Sequence, residues 1–289
     1  MGKPKVLIQS TIGNFHEKWI YYLEQNGADV ASVDLRSSNN WNQIESCDGV
    51  MWHLSMKPSV FQSAEAILGP IEFVLKKKVF PNYSTRWHFE NKIAQKYLFN
   101  AMKVPTPKTY IFWEKEKAQA WIHEEAVFPL VHKGARGAGS SQVSLVRRLN
   151  EAEKLINQRF SQRGAWNHKG YRNTAGRKGG NLLLTNLANI FTNLSDSVAL
   201  AFAGKRPHLP KGYWMPEKDA ILFQEFIPQN DFDTRITIIG DRAFGFRRMN
   251  REDDFRASGG GSLDYDQNQI DKGMISMAFE VSHSGGFQS

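Results

Sequence analysis

The sequence predicts an α/β chain that opens with a small doubly wound domain and turns α+β in its C-terminal part. Three observations carry this. Short apolar runs alternate with helix-period stretches over about the first 80 residues, the pattern of parallel strands joined by crossover helices. Much later, Gly240-Asp241 sits between two strand-like runs at 235–239 and 243–248, a hairpin signal. A length of 289 residues also exceeds what one small core organises, so two or three subdomains are expected.

Residues 5–9 (KVLIQ) are a natural first strand. In 15–25, Phe15, Trp19, Ile20 and Leu23 recur at helical spacing, and Asn26-Gly27 supplies the stop. Strands are expected at 29–34 and 49–54, a helix at 60–77 and an edge strand at 78–82. Gly13 stands in Ser10-Thr11-Ile12-Gly13-Asn14 without a G-x-G-x-x-G, so the dinucleotide fingerprint is absent. One helix is expected over 86–102, ended by Pro105 and Pro107, which force an extended exit. A strand at 110–113, a helix at 115–124, a strand at 143–146 and a helix at 151–160 follow. Residues 182–202 are apolar and partly helical in pattern, and 275–281 form a last apolar helix.

With 41% hydrophobic and 12% aromatic residues, the chain is not of disordered composition. Its net charge of +8 suits an anionic ligand, either nucleotide phosphates or RNA. Cys47, the single cysteine, excludes an intrachain disulfide framework; it reads as a packing residue and fits a reducing, cytoplasmic setting. No apolar run approaches the roughly 18–20 residues that a membrane helix needs. The histidines show no metal-ligand spacing, so no structural zinc is expected.

Two stretches carry chemistry. The hairpin brings Asp233, Arg235, Arg247 and Arg248 into one neighbourhood, followed by Asp254-Phe255-Arg256 and a glycine triplet. It is either a solvated surface hairpin or an anion site in which guanidinium forks hold phosphate oxygens. The second stretch, 128–141, is an apolar strand that delivers Lys133 into a loop containing Gly137, Gly139, Ser140 and Ser141. Glycine lets the backbone approach phosphates and aim its amides at them, while the lysine adds a point charge. No Walker sequence G-x-x-x-x-G-K-[ST] occurs. Residues 159–180 hold Arg159, Arg163, Lys169, Arg172, Arg177 and Lys178 with no acid among them, plus Trp166 and Tyr171. That segment reads as a polar insertion, a substrate or nucleotide lid, or a nucleic-acid patch.

In order, the landmarks are Asn91-Lys92, Val104-Pro105-Thr106-Pro107, the strand and loop around Lys133, Gln224-Glu225-Phe226-Ile227, Asp233-Thr234-Arg235, Arg247-Arg248 and Asp254-Phe255-Arg256. This series resembles the ATP-grasp superfamily, and is most similar to its ribosomal-protein glutamate ligase branch. The resemblance covers 86–289 directly. It implies a Rossmann-like pre-ATP-grasp domain at 1–85, a central or lid subdomain at about 105–220 with an insertion at 159–216, and a C-terminal subdomain at 221–289.

The resemblance also implies roles. Lys92 and Lys133 match lysines directed at ATP phosphates, and 137–141 match the loop that folds over them. Gln224, Glu225, Phe226 and Ile227 match the segment that holds adenine, and Asp233 a ribose-side carboxylate. Arg235, Arg247 and Arg256 match basic positions facing phosphate and acyl phosphate. The implied reaction joins a small-molecule or peptide carboxylate to an amine or amino acid, with ATP consumed through an acyl phosphate. The alternatives are a non-catalytic nucleotide-binding module or a kinase of the same fold. Ser258 departs from the asparagine usual after the D-F-R motif, which bears on acceptor specificity. The family's magnesium ligands, an aspartate and a Glu-x-Asn, would fall beyond Ser289, so the chain is expected to be truncated or catalytically deficient, with Mg²⁺ bound only in an intact protein. Neither a nucleic acid nor a membrane is an expected partner.

Overall fold

The computed structural model describes residues 2–10, 15–55, 58–136, 142–161, 219–250, 255–256 and 262–289. The loop residues Gly137, Gly139, Ser140 and Ser141, together with Asp254, Ser258 and nearly all of the 159–216 insertion, lie outside them.

The first domain is a four-stranded parallel sheet in the order β2-β1-β3-β4, formed by Lys5–Gln9 (β1), Asp29–Val33 (β2), Gly49–Met51 (β3) and Lys78–Phe80 (β4). Three crossover helices join the strands: α1 (His16–Gln25), α2 (Trp41–Ser46) and α3 (Pro58–Phe73). Parallel neighbours need such crossovers, which is why the alternating pattern appears in the sequence. Leu7, Val50 and Val79 from the sheet meet Ile44, Ala64, Leu68 and Ile71 from α2 and α3 in one buried cluster. Cys47 belongs to that cluster, with its thiol against the Ile44 carbonyl at 3.1 Å; burial raises its pKa, as suits a packing residue.

The helix expected over 86–102 is two helices, α4 (Tyr83–Arg86) and α5 (Lys92–Ala101). Glu90 takes a left-handed backbone (φ 52°), and the Asn91 side chain accepts from Ala94 N at 3.2 Å, capping α5 afresh. The strand expected at 49–54 is shorter, and α2 had no counterpart among the expected elements.

The second sheet is antiparallel, in the order β5-β8-β6-β7: Thr109–Phe112 (β5), Leu130–Lys133 (β6), Val143–Val146 (β7) and Ile221–Glu225 (β8). Helices α6 (Lys115–Glu124) and α7 (Leu149–Arg159) cover one face. There Trp121, Ile122 and Ile156 bury Leu130, Val146, Ile221 and Phe223. β8 thus sits inside this sheet, between β5 and β6.

The third sheet, in the order β11-β10-β9, holds the hairpin: Phe232–Ile239 (β9) and Arg242–Met249 (β10), with Leu263–Asp264 (β11) at the far edge. Gly240 turns the hairpin with φ +55°, a conformation that a Cβ disfavours. Exposure alternates along β9: Arg235, Thr237 and Ile239 are exposed, while Ile236 and Ile238 are covered. The covering element is α8 (Lys272–Gly285) with the preceding Ile270, whose side chain lies against Gly245. Beyond α8, Gln288 reaches the first domain: its amide donates to Val79 O (3.1 Å) and accepts from Asn82 N (2.7 Å).

Among the described residues, no helix is long and apolar enough to cross a membrane.

Candidate functional site

Strand alternation sorts the second sheet into two faces. Leu130 and His132 of β6, with Ile221 and Phe223 of β8, belong to the face packed on α6 and α7. Val131 and Lys133, with Leu222, Gln224 and Thr109, belong to the other. Along that face runs a polar line across three strands. Lys133 Nζ donates to Gln224 Oε1 at 2.6 Å, and Gln224 Nε2 donates to Thr109 Oγ1 at 2.8 Å. Buried Val131 and Leu222 flank it.

Burial, and then the positive charge of Lys92, push the Lys133 ammonium below the usual lysine range. The two lysines therefore share a field, as two donors to one polyanion would. Their closeness follows from a backbone junction. Lys92 N donates to Ala135 O at 2.8 Å, and Asn91 and Arg136 form an antiparallel bridge, which sets the start of α5 against the chain leaving β6. On its other side this chain is held by Gln142, since Gly134 N donates to Gln142 O at 2.9 Å. A Cβ on Gly134 would lie 1.7 Å from Gln142 Oε1, so glycine is what permits that approach.

Beneath Lys133, on the helix face, His132 is fully buried and held neutral, its pKa pushed down to about 3 by burial and by Arg159. Its Nδ1 lies 2.9 Å from Leu222 O and its Nε2 3.2 Å from an Arg159 amino group. A neutral ring satisfies both contacts only with the proton on Nδ1, donating to the carbonyl and accepting from the guanidinium.

The remaining expected site residues divide. Phe226 meets Phe255 edge-on (5.9 Å between centroids), and the Arg256 guanidinium lies 5.9 Å from the Phe255 ring, so 224–227 and 255–256 are brought together. By alternation Glu225 falls on the opposite face from Gln224, at the exposed strand end, and Ile227 is exposed. Asp233 and Arg235 share the open face of the third sheet. Arg247 does not join them. It stands on the face with α8, paired to Asp264 and laid over the Phe232 ring. The arginine on the Asp233 face is Arg248, directly opposite in register and paired to Asp233 through both carboxylate oxygens. Thr109 was not among the expected site residues, and Arg248 was named only as part of the hairpin cluster; counting outward from Gly240-Asp241 pairs 239 with 242 and hence 233 with 248.

The chain aligns along nearly its whole length with solved structures. A RimK domain ATP-grasp protein from Sphaerobacter thermophilus aligns over 98% of this chain and 83% of its own, with 13% identity and a TM-score of 0.53. The ATP-grasp ligase PsnB, solved with a minimal precursor, aligns over 100% of this chain and 84% of its own, with 11% identity and a TM-score of 0.55. The fold is ATP-grasp. A Chryseobacterium gregarium RiPP-associated ATP-grasp ligase, in complex with ADP and a leader and core peptide, gives 12% identity, 100% and 83% coverage, and a TM-score of 0.52. No protein-family model matches the sequence, and no curated protein matches it. Within this ATP-grasp chain, the described residues gather no group of three or more His, Cys, Asp or Glu able to hold a metal ion. Asp233 and Asp264 are each committed to an arginine. The described residues therefore do not fit a magnesium site.

The Gln224 side chain makes its two hydrogen bonds to Thr109 and Lys133, and it fixes where the ammonium points. In the nucleotide reading proposed below, Gln224→Leu is expected to weaken ATP binding by about three- to tenfold, the worth of one ordinary hydrogen bond. Isothermal titration with ATP measures it.

Proposed function

We propose that this chain is an ATP-dependent carboxylate–amine ligase working through an acyl phosphate. The observation that carries the reading is the Lys133 ammonium, held by the Gln224–Thr109 line next to Lys92 on a face of the second sheet of an ATP-grasp fold. Two cations in a partly desolvated setting favour a triphosphate over a neutral ligand. In this reading Val131 and Leu222 offer apolar surface for the base, while Glu225, Phe226 and Ile227 carry the strand end past it. Gly137, Gly139, Ser140 and Ser141 are assigned to the phosphates from their sequence alone.

The chemistry needs charge control rather than a nucleophilic side chain. A substrate carboxylate oxygen attacks the γ-phosphorus, and the bond to the ADP oxygen breaks. The amine nitrogen then attacks the acyl carbon, phosphate leaves with that carboxylate oxygen, and the amine proton passes to solvent. Both steps accumulate negative charge on phosphoryl oxygens, which Lys92, Lys133, Arg235 and Arg256 would offset. Asp233, paired with Arg248, is assigned to accept from a ribose hydroxyl. Arg247 is assigned to the Asp264 pair instead of to the reacting phosphate.

The experiment offers ATP with a panel of amino acids and short peptides bearing a heavy-oxygen label in the carboxylate, plus an amine panel. The expected result is ADP and inorganic phosphate release that requires both substrates, with the label appearing in phosphate. A stable phosphorylated product identifies a kinase instead. ATP binding with no turnover across the panel leaves a nucleotide-binding module.

A further inference from the structure

We propose that Arg136 is a positioning residue, whose guanidinium laid on the Phe61 ring of the first domain fixes the phosphate-side end of β6 against α5. This rests on the nucleotide-binding reading above. The Arg136 guanidinium carbon lies 5.1 Å from the Phe61 centroid. Phe61 in turn stacks on Phe89 (6.4 Å, 18° between planes), and both rings pack against the core of the first domain. Phe89 stands just before Asn91 and Lys92, whose backbones hold Ala135 and Arg136.

The contacts close a circuit. From Arg136 the path runs through Phe61 and Phe89 to the start of α5, and back through the 91–92 junction to Arg136 itself. The same aromatic pair therefore anchors both chains that present an ammonium group, Lys92 at the first turn of α5 and Lys133 at the end of β6. A cation over an aromatic face is oriented as well as attracted. In an exposed setting its energy is small, but at this junction a shift of the 134–136 backbone moves Lys133 relative to Lys92. Two charges that must meet one triphosphate are sensitive to such a shift. Among the described residues, Phe61 reaches the proposed nucleotide site through this arginine and Phe89, so an effect of Phe61 on ATP affinity is the signature of positioning.

The test is a double-mutant cycle read by isothermal titration with ATP alone, alongside melting of each nucleotide-free protein. Arg136→Ala and Phe61→Leu are each expected to weaken ATP binding by about three- to tenfold. The double variant should lose less than the sum of the two single losses, because the Arg136–Phe61 contact is common to both changes. Arg136→Lys keeps the cation and Phe61→Tyr keeps the ring, and each should restore affinity to within about twofold of the parent. A weak Arg136→Ala with a normal Phe61→Leu means direct phosphate contact and overturns the proposal. So do additive losses, or losses that track melting temperature across the set. If the parent protein itself fails to bind ATP, the nucleotide reading falls first and the inference with it.

Discussion

Lys133→Ala weakens ATP binding by about 10- to 100-fold, the range for losing hydrogen bonds to a charged group, while the nucleotide-free protein keeps its melting temperature. The two outcomes separate because this lysine is a cost in the absence of ligand. Burial and the charge of Lys92 hold its pKa low, so the folded state binds the proton less tightly than the unfolded chain does. The sign follows directly. Between the lowered pKa and the ordinary lysine value the unfolded state carries more protons, so this group's contribution to stability rises with pH across that window. ATP affinity runs the other way, since phosphate needs the ammonium form, and it declines as pH climbs through the lowered pKa. Titration of ATP at a series of pH values checks this, and an unchanged affinity in Lys133→Ala would count against the nucleotide site.

Arg86→Ala is expected to cost about 3–5 kcal/mol of stability, the usual result of stripping one partner from a buried ion cluster. The Arg86 side chain is buried, with Nε 3.0 Å from Glu65 and an amino group 2.5 Å from Glu72 and 3.2 Å from Pro81 O. Removing it leaves two carboxylates of α3 facing each other with their cation gone. At about 2–4 °C per kcal/mol for a chain of this size, melting should fall by about 6–20 °C. Replacing Arg86, Glu65 and Glu72 together by apolar residues of similar volume should recover most of the loss, because no uncompensated charge then remains. Melting curves of the single and triple variants decide it, and a triple variant as unstable as the single would show that the pairing was not the cause.

Much of the fold was legible because its strands are written as continuous apolar runs. Leu7 and Ile8 of β1 and Val79 of β4 are buried in a parallel sheet, where periodicity 2 is lost but apolar content stands out. α2 was not legible: in WNQIES only Ile44 is buried, too little for a helical period. The break between α4 and α5 was missed because apolar spacing continues through 89, 93, 97 and 98, yet Asn91 is itself a capping signal. Lys133 could be singled out because β6 delivers it straight into glycine. How it is aimed could not: Gln224, named from the sequence only as part of the adenine-side segment, is 91 positions away and reaches Lys133 only once β8 has paired with β6. The pairing of Arg248 rather than Arg247 with Asp233 is different in kind, since the turn at Gly240 sets the register by counting alone. That step needed arithmetic rather than tertiary structure.

The reach of Gln288 onto β4 has a consequence for how the molecule is made. β4 is the outermost strand of the first sheet, and an outer strand presents unpaired carbonyls and amides to any passing chain. Gln288 occupies the Val79 carbonyl, 209 positions upstream, and its backbone amide takes the Thr85 hydroxyl at 2.8 Å. During synthesis from the amino end, those groups stay open to water and to neighbouring nascent chains until the residues around Gln288 have left the ribosome. The first sheet is thus sealed only after the two sheets that follow it in the chain, and its exposed border is where crowding on a polysome would be felt.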